Sequence, residues 1–453
     1  MFQSNPYKYR QLFIDNSNID EMVGVTKILH QPVNYAGNPI LRPSMRWEDG
    51  AGFVGTVIYD EQEGIFKAWY QGWFDSRYPA CYATSEDGIF WHKPELGLIN
   101  DNSGVPTNRV LDEACVPNVI KDINDPDPDR RYKMLFWDYS LPRPNREASA
   151  SIAFSPDGIH WDPFDNNPVL TGTGDTHSLL GWDENYQKYV AFIRPGRQHV
   201  KGPYRRFIGR SISDDFVTWT DPAVVLVPEE DEPNLEFYNM PVFKYEGLYL
   251  GLPWAYKTFP EEPYPRMNGT MDVQLAVSHD GIEWDRAMDR ETFISIGDPG
   301  NFHSGMVACA KEPLKVGDEL WFYCSGSDGD HGTRHRSAKG FLSKLRLDGF
   351  VSITAGKDDF GSITTNSFIC EGGRLQINTN AKDGLIAVAV LNGDGTLVDG
   401  MSHIDTAVVD NDSIKHVVTW ENHTTFDHLS GQNIRLKFYL KSASLYSFFF
   451  TKA

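Results

Sequence analysis

Ser155-Pro-Asp-Gly-Ile-His-Trp161 is the stretch that decides the predicted fold, because it recurs along the chain. Two copies match it closely, namely Ser85-Glu-Asp-Gly-Ile-Phe-Trp91 and Ser278-His-Asp-Gly-Ile-Glu-Trp284. Two more divergent copies are Ser213-Asp-Asp-Phe-Val-Thr-Trp219 and Leu347-Asp-Gly-Phe350. A spacing of roughly 60 to 70 residues is typical of a repeat architecture. Asp-Gly between two alternating runs predicts a hairpin in which both central residues have positive φ and the Trp lies on the returning strand.

Each copy is preceded by the same order of elements, which predicts one blade of a β-propeller. An inner strand comes first, then an acidic or Gly turn, an aromatic second strand, a loop and the outer hairpin. These strand pairs are predicted at 52–59 and 65–70, 115–120 and 132–137, 176–182 and 188–193, 237–243 and 248–254, and 302–307 and 319–323. Gln11–Asp15 is predicted to close the last blade. A tandem array of unrelated hairpins is the alternative.

The repeat stops at about residue 357, where shorter strands without the Trp hairpin begin. We therefore predict an all-β chain, with a five-bladed β-propeller over 1–357 and a C-terminal β-sandwich over 358–453. The 39 Gly and 27 Pro residues, and the absence of any long stretch with helical period, agree with an all-β chain rich in turns.

Composition excludes several classes of function. A formal net charge of −20 repels nucleic acid and anionic membranes and favours a neutral or cationic small ligand. The five cysteines are odd in number and not closely spaced, so neither a disulfide framework nor a zinc site is predicted. No signal peptide precedes the repeats and no apolar run is long enough to span a membrane. The protein is therefore predicted to be intracellular, or else to have lost a leader.

The mouth of the central channel is the natural pocket of a propeller, and the first residues of the inner strands converge there. These residues differ from blade to blade, being Trp47-Glu48-Asp49, Val116-Pro-Asn118, Asp175-Thr-His177, Glu236-Phe-Tyr238 and Asn301-Phe-His303. A lectin that repeats one binding site per blade carries the same polar residues in each. Unlike residues favour an enzyme with a single axial site.

Three of these entries carry acids, which indicates cleavage of a glycosidic bond. That reaction needs a carboxylic acid that protonates the leaving oxygen and a carboxylate on the other face of the sugar. Asp49, with Glu48 as the alternative, Asp175 and Glu236 are the candidates. The apolar neighbours Leu235 and Phe237 favour Glu236 as the general acid. Solvated loop acids are the competing interpretation.

The blades, the sandwich and the order Asp, Asp, Glu resemble the glycoside hydrolase clan of families 32, 43 and 68. The resemblance implies that Asp49 is the nucleophile or base, Asp175 stabilises the transition state or tunes the acid, and Glu236 is the general acid. The chain departs from family 32 in lacking Trp-Met-Asn-Asp-Pro-Asn, with Trp47-Glu-Asp-Gly50 loosely in its place, and in lacking Arg-Asp-Pro.

Aromatic, basic and hydroxyl-binding side chains complete the predicted sugar site. The candidates for substrate binding are Trp47, Glu48, Trp73, His177, Arg194, Tyr238, His303 and His331. Arg197 is a further candidate beside Arg194. The loop Asp328-Gly-Asp-His331 is predicted to line the pocket or hold a cation, although neither a metal nor another cofactor is required by the predicted reaction.

The predicted function is that of an exo-acting glycoside hydrolase. Its expected substrate is a terminal furanose-type or modified sugar of a plant or algal oligo- or polysaccharide. The loops 196–204, 259–270 and 325–337 are long enough to wall in one end of the channel, which favours exo cleavage. Two alternatives stay open: a glycoside phosphorylase, with Arg194, Arg197 and His331 around phosphate, and a glycan-binding protein without catalysis.

Overall fold

The structure is a computed structural model that describes residues 5–140, 148–196, 198–199, 204–261, 268–333, 337–357 and 360–452. Over these residues the chain is all-β, as predicted, and its helical segments are 3-10 turns at Pro128–Arg130, Met288–Arg290 and Asp427–Leu429. No helix in the described part of the chain is long and apolar enough to cross a lipid bilayer.

The strands fall into an N-terminal set and five consecutive groups, one for each copy of the repeat. The N-terminal set is β1 (Gln11–Leu12), β2 (Ile19–Val23), β3 (Thr26–Leu29) and β4 (Val33–Asn34). Group one is β5 (Gly50–Asp60), β6 (Ile65–Trp73), β7 (Ala80–Ser85) and β8 (Arg109–Leu111). Group two is β9 (Ala114–Lys121), β10 (Tyr132–Asp138), β11 (Ala148–Ser155) and β12 (Asp162–Pro163).

Groups three and four contain more, and mostly shorter, strands, whereas group five again has four. Group three is β13 (Leu170–Asp183), β14 (Lys188–Pro195), β15 (Gln198–His199), β16 (Tyr204–Arg205), β17 (Ile208–Ser213) and β18 (Ala223–Leu226). Group four is β19 (Leu235–Phe237), β20 (Val242–Tyr245), β21 (Leu248–Gly251), β22 (Trp254–Thr258), β23 (Gly269–Gln274), β24 (Ala276–Ser278), β25 (Asp285–Arg286) and β26 (Thr292–Ile294). Group five is β27 (Met306–Cys309), β28 (Leu314–Val316), β29 (Glu319–Ser327) and β30 (Lys339–Arg346).

Strands within a group pair antiparallel, and the central strands are buried on both faces. The order β5-β6-β7-β8 recurs as β9-β10-β11 and β13-β14-β17-β18. In β6, seven successive residues from Phe66 to Gly72 are buried, which explains its continuous aromatic and apolar composition. Groups four and five, and groups five and one, touch through single parallel bridges, Met271 to Met306 and Lys339 to Ala51, whereas groups two and three are joined by antiparallel pairing of β11 with β13.

The recurring turn differs in detail from the prediction. Asp157 accepts hydrogen bonds through Oδ1 from the backbone N–H groups of Ile159 and His160, both at 2.8 Å. Positive φ occurs at the glycine of each close copy, with 74° at Gly88, 80° at Gly158 and 72° at Gly281. The prediction of positive φ at both central residues was wrong, because the Asp side chain closes the turn on the backbone.

Each turn also accepts a hydrogen bond from the preceding group. Trp69 of group one donates through Nε1 to Gly158 O at 2.6 Å, and Tyr323 of group five donates through its hydroxyl to Gly88 O at 3.0 Å. The bonds Arg130 Nη2 to Asp215 O and Tyr186 Oη to Asp280 O repeat the contact between groups two and three and between three and four. The contact from Tyr323 joins the last group to the first.

Two further sheets enclose a separate apolar core. Their C-terminal strands are β31 (Val351–Ala355), β32 (Gly361–Thr365), β33 (Phe368–Ile369), β34 (Arg374–Asn380), β35 (Leu385–Asn392), β36 (Asp412–Val417), β37 (Asn433–Lys441) and β38 (Ala443–Thr451). One sheet has the order β3-β31-β38-β34-β36, and the other contains β2, β32, β37, β33 and β35. The apolar side chains between them form one cluster.

The N-terminal strands β1, β2 and β3 belong to these sheets, so the prediction that Gln11–Asp15 closes the last blade was wrong. β1 pairs with β38, with Gln11 opposite Phe448. The physical reason is that Phe13 is fully buried in the C-terminal core, while Leu12 and Ile14 face the core of the repeats. The strand added to group five is β4, which pairs with β30.

Candidate active site

An irregularity in an inner strand positions the first acid. Residues 174–176 of β13 lie opposite the single residue Arg194 of β14, which makes a wide β-bulge. Bulges re-aim side chains and are frequent beside active sites. Asp175 lies in this bulge and accepts a hydrogen bond from Arg194 Nη2. Gly174 is needed here, since a Cβ at that position would lie 2.1 Å from Arg194 Nε.

Glu236 is the second acid and lies in β19, opposite Tyr256 of β22. Its side chain is only 4% exposed, and its Oε2 accepts a hydrogen bond from Arg206 Nη1 at 2.5 Å. Leu235 and Phe237 predicted an apolar environment, whereas the structure adds a buried guanidinium. Sequence reasoning missed this pair, because Arg206 lies 30 residues earlier in the chain.

Tyr238 is the meeting point of the two acid–arginine pairs. The guanidinium carbons of Arg194 and Arg206 lie 4.5 Å and 5.0 Å from the centroid of its ring. Its hydroxyl lies 3.0 Å from His331 Nε2, and its carbonyl accepts a hydrogen bond from Thr176 Oγ1. Five of the predicted residues are thereby brought together, namely Asp175, Arg194, Glu236, Tyr238 and His331.

Glu48 and Asp49, the alternatives for the blade-one acid, have different environments. The Glu48 carboxylate is buried and accepts hydrogen bonds from Lys93 Nζ at 2.5 Å and Tyr70 Oη at 2.6 Å. Burial lowers the pKa of Lys93 although Glu48 opposes the shift. Asp49 is exposed and accepts one hydrogen bond, from the backbone N–H of Asp75 at 3.0 Å. Glu48 is therefore bound in a structural ion pair, and Asp49 is the acid that reaches solvent.

The two tryptophans of group one also differ. Trp47 is buried, with the Arg109 guanidinium carbon 5.2 Å from its ring. Trp73 is half-buried and lies across Gly50 and Gly52, where added Cβ atoms would come 3.3 Å from the Trp73 ring. Because Trp73 is more exposed than Trp47, it is the better platform for a sugar ring.

Half-buried apolar side chains from four groups pack on one core. They are Trp73 of group one, Cys115 of group two, Tyr238 of group four and Met306 of group five. Asp49 lies one residue before β5, and its N–H donates to the Trp73 carbonyl at 2.8 Å.

His177 and His303 lie in the interior. His177 is 1% exposed, and its Nε2 lies 3.0 Å from the carbonyl oxygens of both Val116 and Leu135. Burial lowers the pKa of His177 to about 4, although both hydrogen bonds oppose the shift. His303 is also buried, with its ring centroid 5.2 Å from that of Phe341, and burial lowers its pKa. Both rings are therefore enclosed by the protein and not exposed on its surface.

Other predicted features fall partly outside the described residues. Arg197 lies outside them, as do parts of all three long loops predicted to wall in the channel. Of the loop Asp328-Gly-Asp-His331, Asp330 accepts a hydrogen bond from Thr333 Oγ1. Among the described side chains, no group of three or more His, Cys, Asp or Glu is arranged to hold a metal ion.

The cluster combines acceptors, donors and aromatic faces within one small region. Carboxylates and guanidinium groups form charge-assisted hydrogen bonds with sugar hydroxyls, and a guanidinium fork also binds anions such as phosphate. Arg206, Tyr256 and Thr176 are members that sequence reasoning missed. Tyr256 could have been found from the pattern of aromatics in the second strand of blade four, but Arg206 had no comparable signal.

No protein-family model matches the chain, and no curated protein matches it. Among solved structures, a glycosyl hydrolase from Bacteroides ovatus is 15% identical, over 70% of this chain and 94% of that chain, with a TM-score of 0.48. A β-1,2-mannobiose phosphorylase from Listeria innocua is 13% identical, over 70% and 97%, with a TM-score of 0.47. An N-acetylgalactosamine deacetylase from F. plautii is 13% identical, over 72% and 97%, with a TM-score of 0.43. Similarity at this level establishes neither a shared fold nor a shared reaction.

Proposed function

We propose that the chain is a glycan-active enzyme, namely an exo-acting glycoside hydrolase. The observation that carries the proposal is the convergence of Asp175 and Glu236, through their arginines, on one tyrosine. The other groups do not repeat this set, which favours one catalytic site over repeated binding sites. The proposed substrate is a terminal furanose-type or modified sugar of a plant or algal oligo- or polysaccharide.

The proposed roles follow the chemistry of paired carboxylates. Glu236 protonates the leaving oxygen, for which it must first take up a proton in place of its ion pair with Arg206, and Asp49 acts as the nucleophile or base on the opposite face of the sugar. Asp175 stabilises the charge that develops on the ring, with its position held by Arg194. Trp73 stacks on the terminal sugar. Asp49 supports its role by being exposed beside Trp73, where a water or a sugar carbon has access.

The proposed architecture is a five-bladed β-propeller followed by a β-sandwich. The contact from Tyr323 to Gly88 supports a closed ring of blades, since it links the fifth group to the first. The proposed boundary stays at residue 357, with 1–357 as the propeller region and 358–453 as the sandwich. The N-terminal strands β1 to β3 and strand β31 also contribute to the sandwich sheets.

The experiment that tests the function is a screen of released products. Plant and algal oligosaccharides are incubated with the protein in phosphate-free buffer, and products are separated by anion-exchange chromatography. A free monosaccharide released from the chain end supports the proposal. Release of internal fragments contradicts exo cleavage. Binding of a glycan without any product over long incubation contradicts hydrolysis and supports a glycan-binding protein.

A glycoside phosphorylase is the second candidate, because two guanidinium groups and an imidazole meet at Tyr238. Arg194, Arg206 and His331 form a site of the kind that binds phosphate. The same screen repeated with inorganic phosphate distinguishes the two reactions. Strict dependence on phosphate, with a sugar 1-phosphate as product, decides for the phosphorylase.

A further inference from the structure

Two cysteines of group five lie directly opposite each other in the sheet. Cys309 of β27 is the register partner of Cys324 of β29. The adjacent pair is hydrogen-bonded, since Ala310 N donates to Tyr323 O at 2.9 Å. Bonded and non-bonded pairs alternate in an antiparallel ladder, so the cysteines form a non-hydrogen-bonded pair, whose Cα atoms lie about 4.5 Å apart. A disulfide needs a Cα separation of about 4.4 to 6.8 Å.

The side chains also meet. Because both cysteines belong to the same pair, their side chains lie on the same face of the sheet, and the two Sγ atoms are 3.0 Å apart. Cys309 and Cys324 are 3% and 0% exposed, and they belong to the apolar core that also contains Val307. The sulfurs have to approach by only about 1 Å to reach the S–S bond length of ~2.05 Å.

We propose that Cys309 and Cys324 are joined by a cross-strand disulfide when the chain folds in the presence of a small-molecule disulfide. One cysteine thiolate attacks a sulfur of the small disulfide and releases one small thiolate. The second cysteine thiolate then attacks the protein sulfur of the mixed disulfide and releases the other. The two cysteine protons end on the two released thiols, and the small disulfide is the species that is reduced.

The reaction belongs to folding rather than to the finished protein. Burial excludes an oxidant from the closed pair, and it raises the pKa of Cys324, which disfavours the attacking thiolate. The strands are accessible only before β27 and β29 close. All five cysteines are free thiols in the structure, as the sequence predicted, and the proximity of this pair had no signal in the sequence: the two cysteines are 15 residues apart, and only the sheet register brings them together.

The test is peptide mapping of refolded protein. Reduced, unfolded chain is refolded in a buffer of reduced and oxidised glutathione, then unfolded with iodoacetamide and digested. Of the five cysteines, we expect Cys309 and Cys324 in one linked peptide pair and the other three alkylated. Alkylation of all five, glutathione retained on Cys309 or Cys324, or linkage to another cysteine overturns the proposal. If refolding fails, the same mapping on protein folded in a bacterial periplasm gives the same decision.

Variants provide an independent readout. Cys309→Ala and Cys324→Ala should each remove the difference in Tm between protein refolded with glutathione and protein refolded with a reductant. Cys115→Ala is the matched control, since Cys115 lies in group two, and it should keep the wild-type difference. If Cys115→Ala loses the difference, or Cys309→Ala keeps it, the proposal is wrong. A variant that does not fold leaves the mapping of the wild-type chain to decide.

Discussion

Arg194 and Arg206 contact the same aromatic ring, with guanidinium carbons 4.5 Å and 5.0 Å from the centroid of Tyr238. Each guanidinium also donates a hydrogen bond to a carboxylate, so strands β13 and β19 deliver two ion pairs to one place. Each pair joins one positive and one negative side chain, and both guanidinium groups contact the Tyr238 ring. A change at any member is therefore expected to affect the others.

Removal of either central carboxylate should abolish turnover. We expect Asp175→Asn and Glu236→Gln each to lower kcat/KM by at least ~10²-fold, as is typical for loss of a transition-state stabiliser and of an acid–base group, respectively. Far-UV circular dichroism should be unchanged. Glu61→Gln is the matched control, because Glu61 is an exposed turn residue at the far end of β5. Wild-type activity in either site variant would exclude the assigned roles.

Glu236 and Arg206 should be strongly coupled in their effects on the free energy of unfolding. Arg206→Met leaves a buried carboxylate without its guanidinium and should cost about 3–5 kcal/mol in the free energy of unfolding. The double variant Arg206→Met, Glu236→Gln removes both charges and should regain much of this loss, but no activity. Urea unfolding of the three variants measures the coupling. Losses that simply add would mean that the pair is not a unit.

His177 should affect stability and its pH dependence, but not substrate affinity. Burial lowers its pKa to about 4 from 6.5, so the unfolded chain binds the proton more readily than the folded one. Stability is fully present above the unfolded pKa and falls as the pH decreases from about 6.5 towards about 4.

In His177→Leu this part of the pH dependence should disappear. The unfolding free energy at neutral pH should also fall by ~1–3 kcal/mol, since buried carbonyls lose a donor. Urea unfolding across the pH range measures both effects, and steady-state kinetics should give an unchanged KM. A raised KM at unchanged stability would support the substrate-binding role predicted from sequence.

Substitution of the glycine in the recurring turn should destabilise the protein for two separable reasons. Gly158 and Gly104 both have a φ of 80°, but a Cβ at Gly158 would lie 2.6 Å from Trp69 Cζ2, whereas nothing lies within 4 Å of a Cβ at Gly104. Gly104→Ala should cost about 1 kcal/mol for the left-handed backbone alone. Gly158→Ala should cost roughly 1–3 kcal/mol more, through overpacking against Trp69. Equal losses in thermal or urea unfolding would mean that Trp69 does not anchor the turn.

Local features of the fold were predictable from the sequence, because they depend on short patterns. Alternating and apolar runs predicted β5, β6, β10 and β14 within a few residues. The partner of β1 was not predictable. Leu12-Phe13-Ile14 reads as a strand in any sheet, and its place depends on the fit of Phe13 into a core made by residues more than 300 positions later. Packing of distant segments leaves no local signal.

The candidate site divides in the same way. Reasoning from inner-strand starts found Asp175, Glu236 and Tyr238, which the structure brings together. The same reasoning could not tell which of these side chains are exposed, because a shift of one residue in a strand turns a side chain to the other face. Glu48 beside Asp49 illustrates this, since one is enclosed by Lys93 and Tyr70 and the other reaches solvent. A bulge such as 174–176 also interrupts the alternation of side chains between the two faces, so counting along the sequence does not give the face of a residue beyond it.

The pairing of β1 with β38 has a consequence for how the protein is made. Gln11 cannot pair until Phe448 has been synthesised, 437 residues later in the chain. At roughly 5–20 residues per second, the ribosome needs roughly 20–90 s to deliver that partner. During this time the apolar Leu12-Phe13-Ile14 segment has only the repeats to pack on. Leu12 and Ile14 belong to a core built mainly by groups four and five, so those groups can shelter this segment until its sheet is complete.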